Sequence, residues 1–234
     1  MKEREVQYLF VDPSRSERLG FPLVNLKQRL QICLELAKAL SFLASQNIVF
    51  GDISSKNALW RIGSNPNDIG VMLVDCDAVR VAGTAAAVSQ LNSPDWDPPA
   101  KERSVLTHAT DVYKFGLFII RALSPSANAS LTRDPQRVAP ILDQPGMALL
   151  QRSLHDAPAN RPKMSEWASY LESFIQRMPA VRVSSSTMPT TSAPRTQPKR
   201  QVARTTTPNV SVPATGGAQP KAGWKKVNGK WERA

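Results

Sequence analysis

A chain of 234 residues, 41% of them hydrophobic, is long enough for one or two folded domains, and its 30 Lys and Arg against 19 Asp and Glu give a formal net charge of +11. The excess is not spread evenly, since ten Lys or Arg and one acid lie from Pro179 onward and leave 20 against 18 before it. Two cysteines, Cys33 and Cys76, in apolar surroundings and without C-x-x-C spacing, exclude a disulfide framework. No apolar run approaches the ~20 residues of a membrane span, so a cytoplasmic protein with no membrane segment is expected.

In chain order, Val6-Gln-Tyr-Leu-Phe-Val11 precedes the first helices. From Asn25 to Gln46, Leu26, Leu30, Cys33, Ala37, Leu40 and Ala44 recur at steps of four and three, with Leu34, Leu36 and Leu43 widening the face. That spacing predicts a central helix buried on more than one side. Ile48-Val49-Phe50 and Val71–Val74 have the length of buried strands, and the loop between them bears Asp52 and Asn57. Ala82 to Ala100, with its small residues, Ser-Pro and Pro-Pro, reads as irregular chain. Thr110 is the expected cap of a buried helix over Asp111–Leu123. Another helix carries Met147, Leu150 and Leu154, and Ser165 caps a last one with Trp167, Leu171, Phe174 and Met178 on its core face. Residues 179–223, rich in Pro, Thr, Ser, Ala and Arg, bury too little apolar surface to offset the entropy of ordering and are expected to form a disordered basic tail. Its charge suits a solvated linker or contact with a polyanion. Residues 224–234 then read as two short strands around Asn228-Gly229.

Five segments in a fixed order carry a resemblance. Val49-Phe-Gly-Asp52-Ile-Ser-Ser-Lys-Asn57-Ala-Leu59 resembles the catalytic loop of protein kinases, with Asp and Asn at the family spacing, and Asp75-Cys-Asp77 stands where that family places D-F-G. Ser93–Ala100 looks like the end of an activation segment. Asp111-Val-Tyr-Lys-Phe-Gly116 resembles the buried helix whose Asp supports the catalytic loop, and Asp156–Pro162 resembles the loop that carries a structural arginine, Arg161. The resemblance implies a mainly α fold with a few short strands, a protein-kinase-like C-lobe over residues 1–178. The segment 6–11 would be the hinge strand, and no N-lobe is expected within this sequence, since the stretch before it has no room for one and no G-x-G-x-x-G occurs.

The same resemblance implies ATP and Mg2+ as cofactors and assigns roles. Asp52 takes the acceptor hydroxyl proton, and Ser54 stands where Ser/Thr kinases carry a phosphate-gripping lysine. Asn57 and Asp75 hold metal, with Asp77 a further oxygen ligand, and Leu59 lies under the adenine. Asp111 and Arg161 are structural supports. The partner of Arg161 in the family is the glutamate of A-P-E, a position that is Ala100 here, with Glu102 as its substitute after a local shift. Phe50-Gly51 replaces the family's His-Arg, so control by activation-loop phosphorylation is not expected. Three functions stay open: a Ser/Thr protein kinase of divergent bacterial type, with a protein substrate, whose N-lobe is lost, supplied by a separate N-lobe-bearing chain or omitted by a displaced start; a pseudokinase acting as a binding or scaffold module; and a small-molecule phosphotransferase.

Overall fold

The computed structural model describes residues 4–65, 67–85, 95–99, 102 and 105–179, together with the backbone of 224–227 and 230–233. The tail expected over 179–223 lies outside them apart from Pro179, as does the turn at 228–229. In chain order the first unit contains strand β1 (Arg4–Glu5), helices α1 (Gln7–Phe10), α2 (Pro13–Arg18) and α3 (Leu26–Ser45), strands β2 (Ile48–Val49), β3 (Ala58–Ile62), β4 (Ile69–Leu73) and β5 (Arg80–Val81), and helices α4 (His108–Leu123), α5 (Gln144–Ser153) and α6 (Met164–Arg177). This is a mainly helical unit with a few short strands. Among the described residues, no helix is long and apolar enough to cross a membrane.

Helix α3 starts where a reciprocal cap forms: the Asn25 side chain accepts the Gln28 N–H at 2.9 Å, and the Gln28 side chain accepts the Asn25 N–H at 3.1 Å. From Leu30 to Leu40 its expected core face is inside, with Leu30, Cys33, Leu36 and Ala37 fully buried, whereas Leu26 in the first turn is exposed; the helix packs along α6 and against α4. Helix α4 is central. Every residue from Thr110 to Leu123 except Tyr113 is buried, and these include Asp111, Lys114 and Arg121. A helix apolar all round belongs inside a core, whereas three charges within it require partners.

Several boundaries differ from the sequence reading. Helix α4 begins one turn earlier than expected, capped by Thr107, because the Thr110 hydroxyl accepts the Thr107 N–H at 3.0 Å from inside the first turn. Helix α6 is capped at Lys163 instead of Ser165, since the Glu166 carboxylate accepts the Lys163 N–H at 2.7 Å. The run 6–11 is not a strand. Only Arg4–Glu5 pair with β3, and the chain then bends into α1, which buries Leu9 and Phe10. The Val6 N–H to Ala58 carbonyl bond (3.0 Å) and the Gln7 N–H to Ser55 carbonyl bond (3.0 Å) end the pairing and pin α1 beside the loop. Arg29 then ties α1 down, donating to the Leu9 carbonyl and, at 2.7 Å, to the Ala122 carbonyl at the end of α4.

The strands form two small antiparallel sheets, ordered β1-β3-β4 and β2-β5. Strand β3, which the sequence reading left inside a loop, pairs along its whole length with β4, Ala58 opposite Leu73 and Ile62 opposite Ile69. The hairpin β3–β4 sets the site, because it returns the chain from Asn57 to Asp75 at the same edge. In the second unit, β6 (Trp224–Val227) and β7 (Lys230–Arg233) pair antiparallel, Trp224 opposite Arg233.

Candidate active site

The loop after β2 is held from below by α4. The Phe50 and Gly51 N–H groups each donate to the Asp111 carboxylate at 2.8 Å, one to each oxygen. Burial pushes the Asp111 carboxyl up to about 6, a rise opposed by those two amides and by the nearby Lys114 ammonium. Gly51 sits at φ +80°, where L side chains are strained. A Cβ there would also stand 2.8 Å from Leu106 Cδ1 and 3.1 Å from the Ala78 carbonyl oxygen.

With its base fixed, the loop presents Asp52 and Asn57 together. Asn57 Nδ2 donates to Asp52 Oδ2 at 2.7 Å and to the Asp52 carbonyl at 3.0 Å. The Val74 N–H donates to the Asn57 carbonyl at 3.0 Å and docks the end of β4 against the loop, so that Asp75 follows at once. Asp75 adopts a left-handed conformation, φ 57°, and is exposed. Asp52, Asn57 and Asp75 line a single cleft of about 800 Å³, whose far side is built from α1 and α2 (Tyr8, Arg15) and from Asp95 and Trp96.

The remaining expected site residues lie elsewhere. Ser54 is buried at 2% exposure and its hydroxyl accepts the Lys56 N–H at 3.4 Å, so it braces the loop and does not line the cleft. Lys56 does line it, four residues after Asp52. Leu59 is half-buried in β3 opposite Met72, and Asp77 is exposed in a single 3₁₀ turn (Cys76–Ala78); neither lines the cleft. Among the described residues no three His, Cys, Asp or Glu side chains gather as a metal site. Among the oxygen donors that line the cleft are the Asp75 carboxylate and the Asn57 amide oxygen, whose NH2 is committed to Asp52. Two oxygens beside an open cleft fit magnesium, which takes few protein ligands and completes its shell with phosphate and water.

Arginines brace the segment before α4 and the Asp95–Trp96 side of the cleft. Arg161 forms a bidentate pair with Glu102, at 2.6 and 2.7 Å, and also donates to the Ala109 carbonyl at 2.9 Å. Glu102 thus takes the place of the missing glutamate at Ala100. Arg121 lies over the Trp96 ring, 4.3 Å from its centroid, and donates to the Asp95 carbonyl at 2.7 Å, while Arg133 donates to the Asp95 and Asp97 carbonyls at 3.1 and 3.2 Å. Lys114, Arg121 and Lys56 were not assigned from the sequence. The visible signal for the first two was a cation inside an otherwise apolar helical run.

The comparisons with known proteins agree with this geometry. A family model described as protein tyrosine and serine/threonine kinase matches residues 20–171. The chain is similar to the receptor-like protein kinase THESEUS 1 of Arabidopsis thaliana, 29% identical over 142 residues that make up 57% of this chain and 16% of that protein. It is also similar to the RGS domain-containing serine/threonine-protein kinase A of Dictyostelium discoideum, 24% identical over 164 residues, 65% of this chain and 14% of that protein. The chain therefore spans about one sixth or less of the length of these relatives. With the family model covering well over half of its length, the chain belongs to the protein tyrosine and serine/threonine kinase family.

Proposed function

We propose that residues 4–179 form the acceptor-side lobe of a kinase that moves the terminal phosphoryl group of Mg-ATP to a Ser or Thr hydroxyl of a protein. The observation that carries this reading is the convergence of Asp52, Asn57 and Asp75 on one cleft, on a loop anchored by Asp111. Asp52 accepts the proton of the acceptor hydroxyl, a role that needs a carboxylate within hydrogen-bond reach and otherwise fixed. Asn57 and Asp75 would hold magnesium, and Lys56, the cation of the loop that lines the cleft, would face the transferred group in place of Ser54. The metal-nucleotide supplies the activated phosphoryl group and the neutralisation of its charge. Leu59, in β3, supports the purine end together with an N-lobe provided in cis or in trans. Trp96 and its arginine brace form the floor on which an acceptor segment lies. We place this activity in the cytoplasm and assign the basic excess beyond Pro179 to contact with a polyanion.

A second reading, a non-catalytic binding module, has one observation in its favour: both carboxylate oxygens of Asp52 already face groups of the chain, Oδ2 bonded to Asn57 and Oδ1 3.6 Å from Lys114 Nζ. The two are separated by incubating the full chain, alone and fused to a kinase N-lobe, with radiolabelled Mg-ATP and a mixed protein acceptor, then identifying the phosphorylated amino acid. Phosphoserine or phosphothreonine made by the fused protein supports the kinase. The absence of labelled protein in both preparations favours the binding module.

A further inference from the structure

In the loop that carries Asp52, Phe50-Gly51 stands where the family has His-Arg, and Ser54 is buried where it has a lysine. Gly51 cannot be an arginine, since its positive φ and the contacts at Leu106 and Ala78 leave no place for a side chain. A cation reaches this loop from the opposite direction. Asp111 and Lys114 are three residues apart on α4 and so share a face of the helix. Asp111 accepts the Phe50 and Gly51 N–H groups, and Lys114 Nζ donates to the Gly51 carbonyl at 2.8 Å. The Lys114 side chain has 0% exposure. Enclosing an ammonium so fully is costly unless it is paired. Burial lowers its pKa, while Asp52 and Asp111 oppose that fall. Asp52 Oδ1 is buried with no hydrogen-bond donor, 3.6 Å from Nζ, and Oδ2 is bonded to Asn57. One oxygen is thus held by an amide and the other by a charge, which fixes the plane of the carboxylate.

We propose that Lys114 is the positioning residue of this site: from within α4 its ammonium holds the Gly51 carbonyl and the inner oxygen of Asp52, so that Oδ2 is aimed at the acceptor hydroxyl. This rests on the reading of Asp52 as the proton acceptor. It replaces two absent loop cations with one buried in the core, so the order of the loop does not depend on a phosphorylated activation segment.

The test uses Lys114→Met, which keeps volume and removes both donor and charge, and Lys114→Gln, which keeps a donor and removes the charge. Amide hydrogen exchange on the full chain is read at residues 50–52 against α3 and α6 as internal references. Phosphoryl transfer is read in whichever preparation of the wild type shows it. Lys114→Met is expected to speed exchange at residues 50–52 by about tenfold or more with α3 and α6 unchanged. It is also expected to lower kcat about thirtyfold or more while KM for Mg-ATP stays within about twofold. Lys114→Gln should recover the exchange protection but not kcat. In Lys114→Met, exchange at residues 50–52 that is unchanged, or that rises equally throughout the lobe, overturns the proposal, as does a kcat that survives either substitution. A wild type that transfers no phosphate in any preparation defeats the kinase reading instead, and the exchange measurement then decides by itself whether Lys114 holds the loop.

Discussion

The Asp52 loop shows how much chemistry depends on groups that the motif does not contain. D-x-x-x-x-N was legible because its spacing is local: five residues of chain suffice to bring Asn57 Nδ2 to the Asp52 carboxylate. Its supports were legible only in part. Asp111 stands in a recognisable helix, whereas Lys114 and Arg121 owe their roles to burial, which tertiary packing alone creates. Gly51 combines a positive φ with crowding by Leu106 and the Ala78 carbonyl. Gly51→Ala should destabilise the lobe by about 2 kcal/mol, from φ strain together with crowding at Leu106, as a lower urea midpoint at unchanged slope. Asp111 gives a pH signature. Its folded pKa is raised from 3.8 to about 6, so the folded chain holds that proton more tightly than the unfolded chain does. Its contribution to stability is therefore complete below pH 3.8 and declines as pH rises through 6. Asp111→Asn lacks this titration. The stability gap between wild type and variant should be wider at pH 5 than at pH 7.5 in urea unfolding, and a gap that widens toward pH 7.5 would contradict the assigned direction.

At the scale of elements, helices were read more securely than strands. Helix α3 declares itself over 20 residues with a single face and a polar cap. By contrast, a run as short as Val6–Val11 does not distinguish a strand from a helical turn by periodicity. What decides it is the ending of the β1–β3 pairing at Val6 and the burial of Leu9 and Phe10. Strand β3 was missed because Ala-Leu-Trp-Arg-Ile alternates weakly and its partner β4 follows a polar turn. Between elements, the Arg161–Glu102 pair links the segment before α4 to the turn before α6. Both side chains are almost completely enclosed, 0% and 6% exposed. Breaking such a pair strands a buried charge, so Glu102→Gln should cost about 3 kcal/mol, while replacing both partners by apolar residues should cost less than the sum of the two single changes. A double-mutant cycle by chemical denaturation measures this, and strict additivity would mean that the pair is not coupled.

At the scale of the molecule, the order of five motifs was legible in the sequence and indicated the family, because kinase motifs fall at the ends of elements and keep their order in the chain. The cleft itself was not legible. Its far wall comes from α1, α2 and the Asp95-Trp96 turn, brought there by Arg29, Arg121 and Arg133 across long stretches of chain. The central claim is that Asp52 and Asp75 share this cleft with different tasks, one toward the acceptor hydroxyl and the other toward the metal. The most direct test measures Mg-ATP affinity and phosphate transfer together, on the N-lobe-fused protein and on Asp52→Asn and Asp75→Asn. Asp52→Asn should retain Mg-ATP affinity within about twofold and lose transfer by about a hundredfold or more, whereas Asp75→Asn should weaken Mg-ATP binding itself by about tenfold or more. Transfer that withstands both substitutions, or an Asp52→Asn loss that appears wholly as weaker Mg-ATP binding, would contradict that division of roles.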